Sequence, residues 1–212
     1  MKRIMSAAVA LLLLAGTMPL IGPPAEAASV LKRNLVDLID LSDRIIVGKV
    51  LSVNDGFDIN NVPYTEVTLL VEENIRGGNP GNTYTFRQFG LMAPREIDGK
   101  TYLSVSPDGW PKFAADERVV VFLYQPASIT GLQTTVGLFQ GKFSIAGGQV
   151  RNVNDNLGLF ENIQFEPGLL NEAEQKCSAS TQGAVPENVF VPMVRRAVDD
   201  QWVEEGRMSN EN

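Results

Sequence analysis

Residues 43–77 constrain the fold more than any other stretch of this chain. Two apolar-rich runs, 44–53 and 64–73, flank Asn54-Asp55-Gly56-Phe57-Asp58-Ile59-Asn60-Asn61, whose Asn, Asp and Gly adopt turn conformations that β-branched residues resist. The pair therefore reads as a long antiparallel hairpin. In the second run Thr65, Val67, Leu69 and Val71 alternate with Glu66, Thr68 and Glu72, the period of two of a half-buried strand. The first run is apolar on both faces near its start and carries Gly48 at its middle, which predicts a bulge, a sharp coil or a close backbone approach.

The N-terminus reads as a targeting segment. Met1-Lys2-Arg3 is basic, an apolar run follows, and Ala25-Glu26-Ala27 is a small-x-small cleavage signature. A signal peptide over residues 1–27, cut between Ala27 and Ala28, is expected. As a membrane anchor the run is poor, because Gly16, Pro19, Gly22, Pro23 and Pro24 interrupt it well before the roughly 20 apolar residues a bilayer needs. An exported product, periplasmic or extracellular and without a transmembrane anchor after cleavage, is the expectation. Loss of residues 1–27 leaves 185 residues, and loss of Lys2, Arg3 and Glu26 moves the net charge from −7 to −8. Such an acidic chain repels phosphate backbones, so nucleic acid is excluded as a partner.

The sequence contains no histidine and one cysteine, Cys177. This composition excludes Ser-His-Asp and Cys-His nucleophile systems, imidazole zinc sites and any internal disulfide. Cys177 lies outside any thiol-activating motif and reads as an unpaired thiol. No phosphate loop, nucleophile elbow or EF-hand spacing is present, and no metal or cofactor is called for. Asn152, Asn154, Asp155 and Asn156 could offer oxygens to calcium, but they read first as a turn. Asp98, Asp108, Asp116 and Glu117 are carboxylates that a hydrolase would have to converge in pairs, and each reads more simply as a turn or strand-end residue.

Along the mature chain, Ser29 is a candidate cap for a short helix that aligns Leu31, Leu35 and Leu38. A third strand is expected at 84–89. Residues 90–116 lack a steady period and read as a loop with one short strand near 101–104. The run 118–124 is apolar on both faces, as a strand covered on both sides should be. Residues 132–145 form a strand system broken at Gly137 and Gly141, which turns back into 150–153. Residues 154–186 read as irregular. A final helix is expected over 192–205, with Pro192 in its first turn and Trp202 on its core face, and residues 207–212 as a frayed tail.

This order fits a mainly β fold: a five-stranded OB-type closed barrel with flanking N- and C-terminal helices. Residues 28–206 form a single domain, with the barrel core at about 43–153. The segments Ser42-Asp43-Arg44-Ile45-Ile46-Val47-Gly48-Lys49-Val50, Thr65-Glu66-Val67-Thr68-Leu69-Leu70-Val71-Glu72-Glu73-Asn74-Ile75-Arg76-Gly77 and Glu117-Arg118-Val119-Val120-Val121-Phe122-Leu123 resemble the strand signatures of netrin-like domains, the fold of the tissue inhibitors of metalloproteinases. With Gly137-Leu138-Phe139-Gln140-Gly141-Lys142-Phe143, the likeness is closer to exported bacterial proteins of unknown function. The resemblance covers about 31–153 and implies fold rather than activity. Those inhibitors chelate zinc through a mature N-terminal cysteine; here Ala28-Ser29 stands in that place, so no such role carries over.

The functional expectation is an exported, non-enzymatic binding module, an inhibitor or accessory partner of another exported or envelope protein. The loop 90–111 supplies its candidate contact residues Leu91, Met92 and Trp110. Against this, Trp110 reads slightly better as a plug at the barrel end. The alternatives are an envelope or matrix structural component and, third, a carboxylate-dependent hydrolase.

Overall fold

The fold is seen in a computed structural model that describes residues 31–97, 99–103 and 105–211. Ala27, Ala28, Ser29, Asp98 and the signal segment lie outside the described residues. The first helix, α1 (Leu35–Asp40), starts later than Ser29 because Asn34 caps it, its side chain accepting from the Asp37 amide. Leu31, left ahead of that cap, is 71% exposed rather than packed on the helix face.

Two fourteen-residue strands follow, β1 (Arg44–Phe57) and β2 (Pro63–Arg76). They form the expected antiparallel hairpin, but its turn is shorter than the sequence suggests. Asn54, Asp55 and Gly56 stay in the ladder opposite Glu66, Thr65 and Tyr64, and Asp58 closes the loop by accepting from the amides of Asn60 and Val62 at 2.8 and 2.7 Å. Gly48 lies at one of three register shifts in β1. A Cβ there would stand 2.5 Å from the Leu70 carbonyl oxygen, so the glycine permits a close backbone approach.

β3 (Thr83–Phe89) pairs with β2. The long loop after it holds a small hairpin, β4 (Arg95–Ile97) with β5 (Lys100–Tyr102), where one strand was expected. β6 (Arg118–Leu123) lies beside β1, and Val119 to Leu123 are fully buried, as a run apolar on both faces requires. A 3₁₀ turn (Leu138–Gly141) leads into β7 (Lys142–Ala146) and β8 (Gln149–Arg151).

Residues 154–186 are more ordered than expected. They carry β9 (Ile163–Phe165), α2 (Glu172–Ser178) and the two-residue β10 (Val185–Pro186). α2 is started by a capping box in which Asn171 and Glu174 each bond the other's backbone amide. The last helix, α3 (Glu187–Asp199), begins five residues before Pro192, which therefore sits inside it. The hydrogen bond lost there frees the carbonyl of Asn188, an exposed residue whose backbone water can satisfy. Trp202 is buried as expected, but in the turns after the helix, its amide bonded to the Ala197 carbonyl at 2.9 Å. The tail expected to fray forms β11 (Met208–Asn210), which pairs with β9 and buries Met208 completely.

The molecule is mainly β, built on an antiparallel seven-stranded sheet in the order β10-β8-β7-β6-β1-β2-β3. One face, including Ile45, Val47, Val120, Phe122 and Phe143, packs against α1, α3, Trp202 and Met208. The other gathers Ile46, Val50, Val67, Leu69, Phe86, Val119, Val121 and Leu123 into a second cluster. Each fully buried Val, Leu or Phe here contributes about 1.5–3 kcal/mol by leaving water. The strand ladder is open, ending at β10 and β3. Residues 133–136 run between its limbs: the Val136 amide donates to the Phe122 carbonyl at 2.7 Å, and the Gln133 amide to the Arg87 carbonyl of β3 at 2.7 Å.

Candidate functional site

The outward side chains of β7 and β8 follow from the strand period. Phe143, Ile145 and Val150 point into the core, so Lys142, Ser144, Ala146, Gln149 and Arg151 line the opposite face. The register sets Ser144 beside Arg151 and Ala146 beside Gln149. Residues 108–112 and Phe139 rise over this floor, and Asn152, Val153 and Ala184 border it, enclosing a cleft of about 900 Å³. That volume suits a small molecule or a short segment of polymer.

Trp110 stands in the wall of the cleft. It is half-buried, tilted against Phe89 with ring centroids 6.3 Å apart, and its amide bonds the Pro107 carbonyl at 3.2 Å. The other two candidates are elsewhere. Leu91 is fully buried, held by a bridge to Val105, so it serves packing and offers no contact surface. Met92 is 53% exposed near the far end of the β1–β2 hairpin, where its amide and the Arg95 guanidinium both bond the Asp55 carboxylate. Neither lines the cleft.

The cleft's charges are largely answered locally. Lys142 Nζ reaches Glu117 Oε1 at 2.5 Å and the Lys112 carbonyl at 2.8 Å, and it lies over the Phe113 ring. Ser144 Oγ donates to the same Glu117 oxygen. Arg151 Nε pairs with Asp155 at 2.9 Å. Asp108 and Lys112, one of each sign, have no ion-pair partner among the described residues.

Of the carboxylates the sequence singles out, Asp108 is in the cleft wall and Glu117 bonds to its floor. Asp116 is fully solvated beside Lys49 at 2.7 Å, whose hydrogen bond and charge hold its carboxyl below the usual range. The asparagines after β8 serve a turn: Asn152 Oδ1 accepts from the amides of Asn154 and Asn156, and Asn156 Oδ1 from that of Asn152. Asp155 and Asn156 take the positive φ such a turn needs. No trio of Asp, Glu, Cys or His converges as a metal site among the described residues. Cys177 is half-buried beside a cavity of about 300 Å³, and burial pushes its thiol pKa up.

The signal for the cleft was present in the sequence as alternation in 142–146 and 149–151, but the residues that face it were not singled out. Trp110 alone was. Compared with protein-family models, with curated proteins and with solved structures, the chain matches none.

Proposed function

We propose that this chain is an exported, non-enzymatic binding module, an accessory partner of other exported or envelope components, and that it holds its ligand in the cleft beside Trp110. The carrying observation is the composition of that cleft. A half-buried tryptophan and Phe139 stand over a floor of hydrogen-bonding side chains whose cations, Lys142 and Arg151, are paired with Glu117 and Asp155 outside the lining. Binding sites combine apolar surface with a few placed polar groups in this way. The basic n-region, apolar run and Ala-x-Ala signature support export.

We further propose that the sheet closes into the OB-type barrel of netrin-like domains, with residues 133–136 as the closing segment. Gln133 supports this. It is 4% exposed, its amide bonds β3 at Arg87, its side-chain carbonyl accepts from Tyr84 Oη at 2.7 Å, and its side-chain amide bonds the Tyr124 carbonyl at 2.7 Å. One side chain thus links the last strand of one limb to the end of β6.

The test is affinity capture with the tagged mature protein from culture fluid and envelope fraction, run beside W110A. The expected result is a retained component that W110A loses while its melting temperature stays close to that of the parent. Equal retention by W110A removes the cleft as the contact surface.

A further inference from the structure

We infer that the cleft takes a neutral glycan strand, an uncharged run of sugar units, rather than a charged peptide; this rests on the cleft being the binding surface. Three observations carry it. First, the charges are answered: Lys142 and Arg151 of the lining are held by Glu117 and Asp155 just outside it, and Lys112 and Asp108, without ion-pair partners among the described residues, are one of each sign, so no net charge is asked of the ligand. A ligand of either sign would have to break these pairs or leave one of them desolvated.

Second, the aromatic surface is Trp110, partly exposed in the wall of the cleft. A sugar ring presents a face of C–H bonds, weakly positive, to the negative face of an indole, while its hydroxyls point outward round the rim. Third, the rim carries planar polar groups with capacity to spare. Asn152 is 92% buried, since it is 8% exposed, and lines the cleft; its Oδ1 accepts two backbone amides, while its Nδ2 has no partner among the described residues. The Gln149 amide makes no side-chain hydrogen bond among the described residues, and the terminal nitrogens of Arg151 are left free by a pairing made through Nε. A site that presents donors and acceptors in this mixture rewards a ligand that offers both from each hydroxyl.

The test is titration of the mature protein with cellohexaose, chitohexaose and, for comparison, an acidic and a basic hexapeptide, read by tryptophan fluorescence and calorimetry. The chain has two tryptophans and Trp202 is buried, so the signal belongs to Trp110 and is assigned by its loss in W110F. Saturable binding of a neutral hexasaccharide is expected, changing less than twofold between low and high salt. W110A should weaken it at least tenfold and N152A several-fold, and I59A, at the exposed hairpin tip, should not alter it. Binding of a peptide in place of both sugars, sugar binding indifferent to W110A, or binding of neither sugar overturns the inference. If capture from the envelope still depends on Trp110 in such a case, the binding-module reading stands and only the ligand class falls. If neither sugar nor capture depends on Trp110, both fall.

Discussion

At Gly48 the backbones of β1 and β2 come so close that no side chain fits, since even a methyl would sit 2.5 Å from the Leu70 carbonyl. Gly48→Ala must push the strands apart or distort the bulge beside them. We expect a loss of about 1–3 kcal/mol and a melting temperature several degrees lower, measured by thermal denaturation. An unchanged melting point would show the strands to be further apart than described. Cys177 offers a residue-scale test of a different kind. Burial favours its neutral thiol, so the folded state holds that proton to higher pH than the unfolded chain does. Iodoacetamide should then label the native protein more slowly than the urea-unfolded chain at pH 8, and folding stability should fall as pH rises past the ordinary thiol pKa. Equal labelling rates would contradict the burial.

Among the elements, β2 was legible because one of its faces is wet: Pro63, Thr65, Val67 and Leu69 are buried while the residues between them are partly exposed. β6 was legible for the opposite reason, being apolar from Val119 to Leu123 and covered on both sides. The elements that escaped are short and depend on partners far along the chain. β9 and β11 are three-residue strands that exist by pairing with each other across more than forty positions, which no local period can signal. α2 did have a signal, Asn171 and Glu174 at capping-box spacing, but its seven residues bury only Glu174 among their own and show no apolar stripe. Pro192 misled because proline favours a first turn, whereas Phe190 and Val191 ahead of it are drawn into the core and pull the helix start back. The segment 133–136 gives the element-scale prediction. Gln133→Ala leaves the Tyr84 hydroxyl and the Tyr124 carbonyl without their partner, which should cost about 1–3 kcal/mol and lower the melting temperature accordingly. A variant as stable as the parent would mean that Gln133 links nothing the fold depends on.

Across the whole molecule, the sheet is apolar on both faces, with helices packed on one and a second cluster of β1, β2, β3 and β6 side chains on the other. The second cluster ends at β6: Val119 and Val121 belong to it, but their neighbours Ser144 and Lys142 on β7 are already polar. The cleft is therefore the place where this face of the sheet continues beyond its apolar cluster. That transition was visible as a change of residue type along 142–151, yet its meaning depended on the loop 108–112 arriving above it, and nothing in that loop's composition announces where it lands. Leu91 was misjudged for the same reason, since a leucine among turn residues looks exposed until the chain folds over it.

The two outlying parts of the described chain also meet. The Asn34 side chain donates to Asn210 at 2.7 Å, and Asn210 donates to Asp37 at 3.1 Å, so the cap of α1 and the last strand form one small amide junction. A few glycines and serines can bridge residue 211 back to residue 31, and fresh ends can be opened at the solvent-facing bend around Ile129. Such a rewired chain keeps every strand neighbour it had, and anything fused at the new opening departs from a bend that contributes no residue to the cleft wall.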